Sequence, residues 1–164
     1  MKIATWNVNS LKVRLHHVLR WLEENDPDNV GLQETKTIDE NFPEDEIRAA
    51  GYEVVFAGQK TYNGVALLSK TPATDVVTDL PGLDDPQRRV MAATVGDIRI
   101  INLYVPNGEA LDSPKFEYKT GWIAALKNYL AQQLAEHPKL VMMGDFNITA
   151  TCDDVHDTAN LAGI

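Results

Sequence analysis

Short apolar runs alternate along this chain with amphipathic stretches, and each kind keeps its own period. The runs at residues 2–6, 30–33, 52–57, 65–69, 76–80, 90–95, 98–104 and 140–143 have the length of strands. Between the first two, Leu11, Leu15, Val18, Leu19 and Leu22 recur at helical spacing, and Asn25, Asp26 and Pro27 stop that stretch. Residues 43–50 read as a short helix ending at Gly51. Ser113-Pro114 starts a longer one, with proline in the first turn, where its missing N–H costs nothing. Trp122, Leu126, Leu130 and Leu134, supported by Ile123, mark its inward face, and His137-Pro138 ends it. The spacing predicts a pair of strands joined through Asn63-Gly64 and a tight hairpin at Gly96-Asp97. Helices set between groups of strands define an α/β fold.

At 164 residues the chain is sized for one domain with a real core. Its 24 Asp and Glu against 15 Lys and Arg leave a net charge of −9, which argues against a protein that coats nucleic acid nonspecifically. That balance still permits a local basic rim around an acidic, metal-binding centre. The one cysteine, Cys152, excludes an internal disulfide framework and fits a reducing cytoplasm. No apolar run approaches the roughly 18 residues of a membrane span. The opening MKIATWNVNS lacks the apolar stretch and cleavage site of a signal peptide, so the expectation is a cytoplasmic protein with no membrane partner.

Four of the apolar runs end in polar clusters: Trp6-Asn7-Val8-Asn9, Gln33-Glu34-Thr35-Lys36, Tyr104-Val105-Pro106-Asn107 and Gly144-Asp145-Phe146-Asn147. Strand ends that meet at one sheet edge bring distant residues together. Carboxylates, carboxamides and a phenol are suited to holding a hard divalent cation and a phosphate. Each residue also has a plainer role open to it. Asn7 and Asn9 could cap the following helix, and Glu34 could be a surface carboxylate. Asp145 and Asn147 could form a turn, and Tyr104 could be an ordinary strand residue. Trp6 and Trp122 lie in apolar periodic segments and read as core rather than as base-stacking platforms.

The segments KIATWNVNSLKVR, GLQETK, YNGVALLSK, QRRV, NLYVPNGE, SPKFEYK and MGDFNI carry a resemblance. In this order they resemble the exonuclease III family of apurinic/apyrimidinic endonucleases, within the endonuclease/exonuclease/phosphatase superfamily. YNGVALL and the extended YVPNG stretch point to the DNA-repair branch. The resemblance implies part of a four-layered α/β sandwich with mostly antiparallel sheets and outer helices. It implies a DNA-repair phosphodiesterase that uses Mg²⁺, or Mn²⁺, to cut double-stranded DNA 5′ to abasic sites and to trim 3′ ends.

Under that resemblance, Glu34 matches the main metal carboxylate and Asn9 a position that helps at the metal. Asn7 matches the residue that orients a catalytic aspartate, and Asp145 that aspartate, which positions or deprotonates the attacking water. Asn147 matches a donor to the scissile phosphate, and Tyr104 a phenol beside the phosphate or leaving oxygen. Lys36, Tyr62, Asn63, Arg89 and Asn107 match positions on the DNA-contacting side. Arg88, Lys115 and Lys119 are further candidates for phosphate contacts on the rim. An abasic site would be selected by a pocket that excludes an intact base and by the lower cost of flipping out a baseless sugar.

The family continues through an RID-type strand and an SDH-type motif, which supplies an Asp and a His to the active site. No Ser-Asp-His run occurs here. The histidines are His16, His17, His137 and His156, and His156 reads as a loop residue. The expectation is therefore a single incomplete domain over residues 1–164 with little or no nuclease activity on its own. Two other readings stay open: a noncatalytic DNA- or partner-binding fragment, and a phosphatase of the same superfamily acting on a small molecule.

Overall fold

The computed structural model describes residues 1–149 and 151, so Cys152 and His156 lie outside the described residues. The elements run β1 (Ile3–Asn7), α1 (Leu11–Asn25), β2 (Asn29–Gln33), α2 (Glu44–Ala49), β3 (Glu53–Ala57), β4 (Val65–Ser69), β5 (Ala73–Val77), β6 (Val90–Val95), β7 (Ile98–Tyr104), α3 (Pro114–Glu136) and β8 (Leu140–Asp145). A 3₁₀ turn, Asp39–Asn41, precedes α2. The first sheet has the order β1-β2-β4-β3 and the second β5-β6-β7-β8. The pairs β1–β2 and β7–β8 are parallel, and the other pairs are antiparallel.

Alternation along the strands stacks these sheets into four layers. On β2 and β4, Val30, Leu32, Ala66 and Leu68 face outward onto Leu11, Val18 and Leu22 of α1 and Ile47 of α2. The intervening Val65 and Leu67 face inward and meet Met91, Ala93 and Ile100 of the second sheet. The outer face of that sheet, with Ala92, Ile101 and Leu103, packs on Trp122, Leu126 and Tyr129 of α3. The result is helix, sheet, sheet, helix, as the resemblance implied. Among the described residues, no helix is long and apolar enough to cross a membrane.

Two expectations need correction. The strand expected at residues 76–80 lies instead at Ala73–Val77. It is an edge strand with a register shift between Thr74 and Val77, largely exposed, so it carries no apolar pattern. Leu80, which drew the reading downstream, is buried in the α3 core from the loop that follows. On α3, Leu134 is 63% exposed, while Lys119 and Gln133 are buried. An apolar stripe misses those two because each is buried through a polar bond. Gln133 accepts from the buried Arg99 at 2.7 Å, and Lys119 donates to the Asn147 carbonyl at 2.5 Å. Trp122 is core, as expected, whereas Trp6 is partly buried and packs edge-on against Trp21 at 6.0 Å.

Candidate active site

The C-terminal ends of β1 and β2 in one sheet meet those of β7 and β8 in the other. The polar clusters therefore converge from two sheets rather than along one sheet edge. Asn7 is at the centre. Its Nδ2 donates to Glu34 Oε1 at 2.8 Å and to Asp145 Oδ2 at 2.7 Å. One amide nitrogen thus holds two carboxylates that are far apart in sequence. The plainer reading of Asn7 and Asn9 as helix caps does not hold: Ser10 is the N-cap of α1, and no side-chain cap is made there. Two amides at the start of α1 bond to the loop after β2 instead. Ser10 N donates to Glu34 O at 2.7 Å and Leu11 N to Thr35 O at 3.0 Å.

Glu34 and Asn9 converge on one cationic group. Lys36 Nζ lies 2.8 Å from Glu34 Oε2 and 2.5 Å from Asn9 Oδ1. Burial pushes the Glu34 carboxyl up, but hydrogen bonds from Asn7, Lys36 and Tyr104, with the Lys36 charge, leave it below the usual carboxylate range. The Tyr104 phenol at the end of β7 bonds to Glu34, and burial together with that carboxylate pushes it up to about 12. Tyr104 is therefore a hydrogen-bond donor at neutral pH, not a phenolate.

Asp145 and Asn147 do form a turn, Asn147 N donating to Asp145 Oδ1 at 3.1 Å, and the turn also serves the site. Asn147 Nδ2 donates to Val105 O at 2.8 Å, which leaves its second N–H free of that bond. Behind it stands Lys119, which the sequence marked only as a rim candidate. Burial lowers its ammonium from the ordinary value, partly offset by the charge of Asp145. The backbone here is unusual. Asn9, Glu34, Lys36, Asn63 and Asn147 all have φ between 42° and 55°, the left-handed region that side chains with a Cβ rarely adopt. Such conformations cluster where a surrounding structure imposes them for function.

The residues expected on the DNA side are placed less uniformly. Tyr62 and Asn107 are exposed, with Asn107 Oδ1 accepting from Glu109 N at 2.9 Å. Asn63 is buried, its Nδ2 donating to Gln59 and Gln87 at 3.0 and 3.1 Å. Arg89 donates to the same Gln87 oxygen at 2.9 Å and lies against the Tyr104 ring. Lys36 sits inside the carboxylate centre rather than beside it. Arg88 pairs with Asp79 at 2.6 Å and Lys115 with Glu109 at 2.9 Å. Gln59 and Gln87 support these groups, each through a side-chain oxygen that accepts two hydrogen bonds, Gln59 from Asn63 and Arg88 N and Gln87 from Asn63 and Arg89.

A four-layer sandwich with carboxylates, carboxamides and a phenol at the joined ends of its two sheets is suited to phosphoester chemistry. Residues 4–164 match the Endonuclease/Exonuclease/phosphatase family, and the chain belongs to that family. It is 35% identical over 161 residues to an exodeoxyribonuclease III of Haemophilus influenzae, covering 94% of this chain and 60% of that protein. A 3′ phosphatase, NExo from Neisseria, solved with a product DNA hairpin, superposes with a TM-score of 0.94 at 51% identity, over 98% of this chain and 63% of that one. An AP endonuclease from Archaeoglobus fulgidus superposes at 0.92 with 41% identity, again over 98% and 63%. The chain thus spans about three-fifths of the length of these relatives.

Proposed function

We propose that the chain supplies part of the active centre of a DNA-repair phosphodiesterase, one that cuts double-stranded DNA 5′ to abasic sites and trims 3′ ends. Residues 1–164 then form a single domain that is incomplete relative to the family. The observation that carries this reading is the single Asn7 amide held between Glu34 and Asp145. The cofactor that fits is a divalent cation, Mg²⁺ or Mn²⁺. The fit rests on chemistry already present, since Glu34 and Asn9 turn hard oxygens onto one positive group, the Lys36 ammonium. Among the described residues no cluster of three or more His, Cys, Asp or Glu forms a complete metal cage. Mg²⁺ characteristically keeps several waters and one or two carboxylates, so this is no obstacle. When bound, the cation supplies a Lewis acid that takes up charge from the phosphate oxygens.

The chain's own groups supply part of the remaining chemistry. Asp145 orients and accepts a proton from the attacking water, and Asn7 aims that carboxylate without adding charge. The second N–H of Asn147 is a donor to a nonbridging phosphate oxygen. Tyr104, protonated, donates beside the phosphate or leaving oxygen. Tyr62 and Asn107 face the DNA, Lys36 sits within the carboxylate centre, and Asn63 and Arg89 brace the neighbouring loops.

The test is incision of an abasic duplex with Mg²⁺, against an EDTA control. It is run on this chain alone and on the chain joined to the C-terminal segment of the Haemophilus relative. The joined protein is expected to cut in an EDTA-sensitive way and the chain alone to cut little or not at all. Glu34→Gln should weaken metal-dependent activity more than DNA binding, and Asp145→Asn should lower turnover by at least about 100-fold. Salt-sensitive DNA binding without incision would favour a noncatalytic fragment. Hydrolysis of a small phosphoester without DNA cutting would favour a small-molecule phosphatase.

A further inference from the structure

One layer below the site, a second set of amides spans the gap between the sheets. Gln33 and Asn102 are 1% and 0% exposed. Gln33 ends β2, immediately before Glu34, and Asn102 lies on β7, two residues before Tyr104. Gln33 Nε2 donates to Asn102 Oδ1 at 2.5 Å and to Thr5 Oγ1 at 2.9 Å, and Thr5 is two residues before Asn7 on β1. Asn102 Nδ2 donates to the Leu32 and Ala66 carbonyls at 2.9 and 3.0 Å. This network therefore joins the strands that deliver Asn7, Glu34 and Tyr104. Gly31 makes the approach possible, since a Cβ there would lie 2.7 Å from Asn102 Oδ1.

Around the pair, Val65, Leu67, Met91, Ala93, Ile100 and Met143 form an apolar cluster between the sheets. Apolar packing sets a distance between sheets but tolerates small slips in register, whereas an amide hydrogen bond weakens steeply with misalignment. Burying two amides is costly unless their bonds are made, and neither Gln33 nor Asn102 has a buried side-chain atom without a partner. We infer that the Gln33–Asn102 pair is the positioning device of the site. It locks β2 of one sheet in register with β7 of the other, and so sets how Glu34 meets Tyr104. Both are positioning residues, sealed below the surface that a substrate would meet. The inference rests on the reading of Glu34 and Tyr104 as parts of one centre.

The experiment uses the 164-residue chain with Gln33→Met and Asn102→Leu, singly and together. These changes keep side-chain size and remove the amides. Removing one end alone strands a buried partner, while removing both is milder. The readouts are the urea midpoint, the side-chain amide resonances of Asn7, and Mn²⁺ binding. The double variant is expected to unfold at a higher urea concentration than the Asn102→Leu single variant. Its Asn7 resonances should nonetheless move from their native positions, and Mn²⁺ affinity should fall at least about tenfold. A folded double variant with unmoved Asn7 resonances overturns the inference. Should the double variant fail to fold, Gln33→Met alone carries the same readouts, because it leaves the Asn102 bonds to Leu32 and Ala66 intact. Failure of the site reading looks different: Glu34→Gln would leave Mn²⁺ binding unchanged while Asn7 still responds to the amide pair.

Discussion

The guanidinium carbon of Arg89 lies 4.7 Å from the centre of the Tyr104 ring, and Arg89 Nη1 donates to the Tyr104 carbonyl at 3.2 Å. The Tyr118 ring flanks the same cation at 6.0 Å. Arg89 thus holds the phenol strand end through both its face and its backbone. Arg89→Ala should destabilise the chain by about 1–3 kcal/mol, from the lost cation–π contact and partly buried hydrogen bonds. Lysine should recover little, because it lacks the planar fork. Urea denaturation checks this, and a loss no larger than that of Arg88→Ala would count against it.

Tyr104 gives a pH prediction. Burial and Glu34 raise its phenol to about 12, against the opposing charge of Arg89. An unfolded tyrosine ionises near about 10. The folded value is the higher one, so the stability linked to this group is fully present below about pH 10 and is lost as pH rises toward about 12. Absorbance titration of tyrosinate should show a late component that Tyr104→Phe diminishes, the remainder coming from Tyr118, whose phenol is raised by burial and its bond to Asp85. An unchanged titration curve in that variant would refute the assignment.

Gly144 is the narrowest backbone position near the site. It has φ 142°, and a Cβ there would lie 2.0 Å from the Leu103 carbonyl oxygen. It pairs with Leu103 directly before the Tyr104–Asp145 pair of the β7–β8 ladder. Gly144→Ala should therefore cost more than about 3 kcal/mol, or detach the end of β8 and with it Asp145. Loss of hydrogen-exchange protection at Val105 N, which donates to the Asp145 carbonyl, would report the detachment. Native stability in this variant would contradict the prediction.

Under the proposed metal role of Glu34 and Asn9, Lys36 would compete with the ion for both. Lys36→Gln should let Mn²⁺ bind at a lower concentration, since a positive charge 2.8 Å from the carboxylate is removed. Calorimetric titration measures it. Weaker Mn²⁺ binding in this variant would mean that Lys36 orders the ligands rather than opposing the ion.

The parts legible in the sequence were those with a strong local period or a cluster at a strand end. Strand β7, with Ile101 and Leu103 alternating against Ile100 and Asn102, and the helix begun by Ser113-Pro114 fall in this class. Asn7, Glu34, Tyr104 and Asp145 also fall here, because each ends or follows an apolar run. Edge strand β5 was misplaced because exposure and a register shift erase its alternation. The role of Lys36 was obscured because its two partners sit on different loops, brought together by Ser10 N and Leu11 N docking on the 34–35 carbonyls. Gln33 and Asn102 lie in the GLQETK and NLYVPNGE segments, but their pairing between the sheets was not legible, because a polar residue in a strand normally marks the solvent face.

The left-handed backbone at Asn9, Glu34, Lys36, Asn63 and Asn147 bears on how mutagenesis of this site is interpreted. At these positions alanine is not a neutral probe, since it removes the functional group and worsens the local conformational energy at once. Aspartate at Asn9 or Asn147 preserves much of the tolerance for positive φ, and glycine removes the conformational penalty altogether. A paired comparison of glycine with alanine at Asn147 would separate loss of the amide from loss of the turn. Naturally occurring replacements at these five positions should pass a conformational filter before a chemical one, with β-branched residues excluded whatever their polarity.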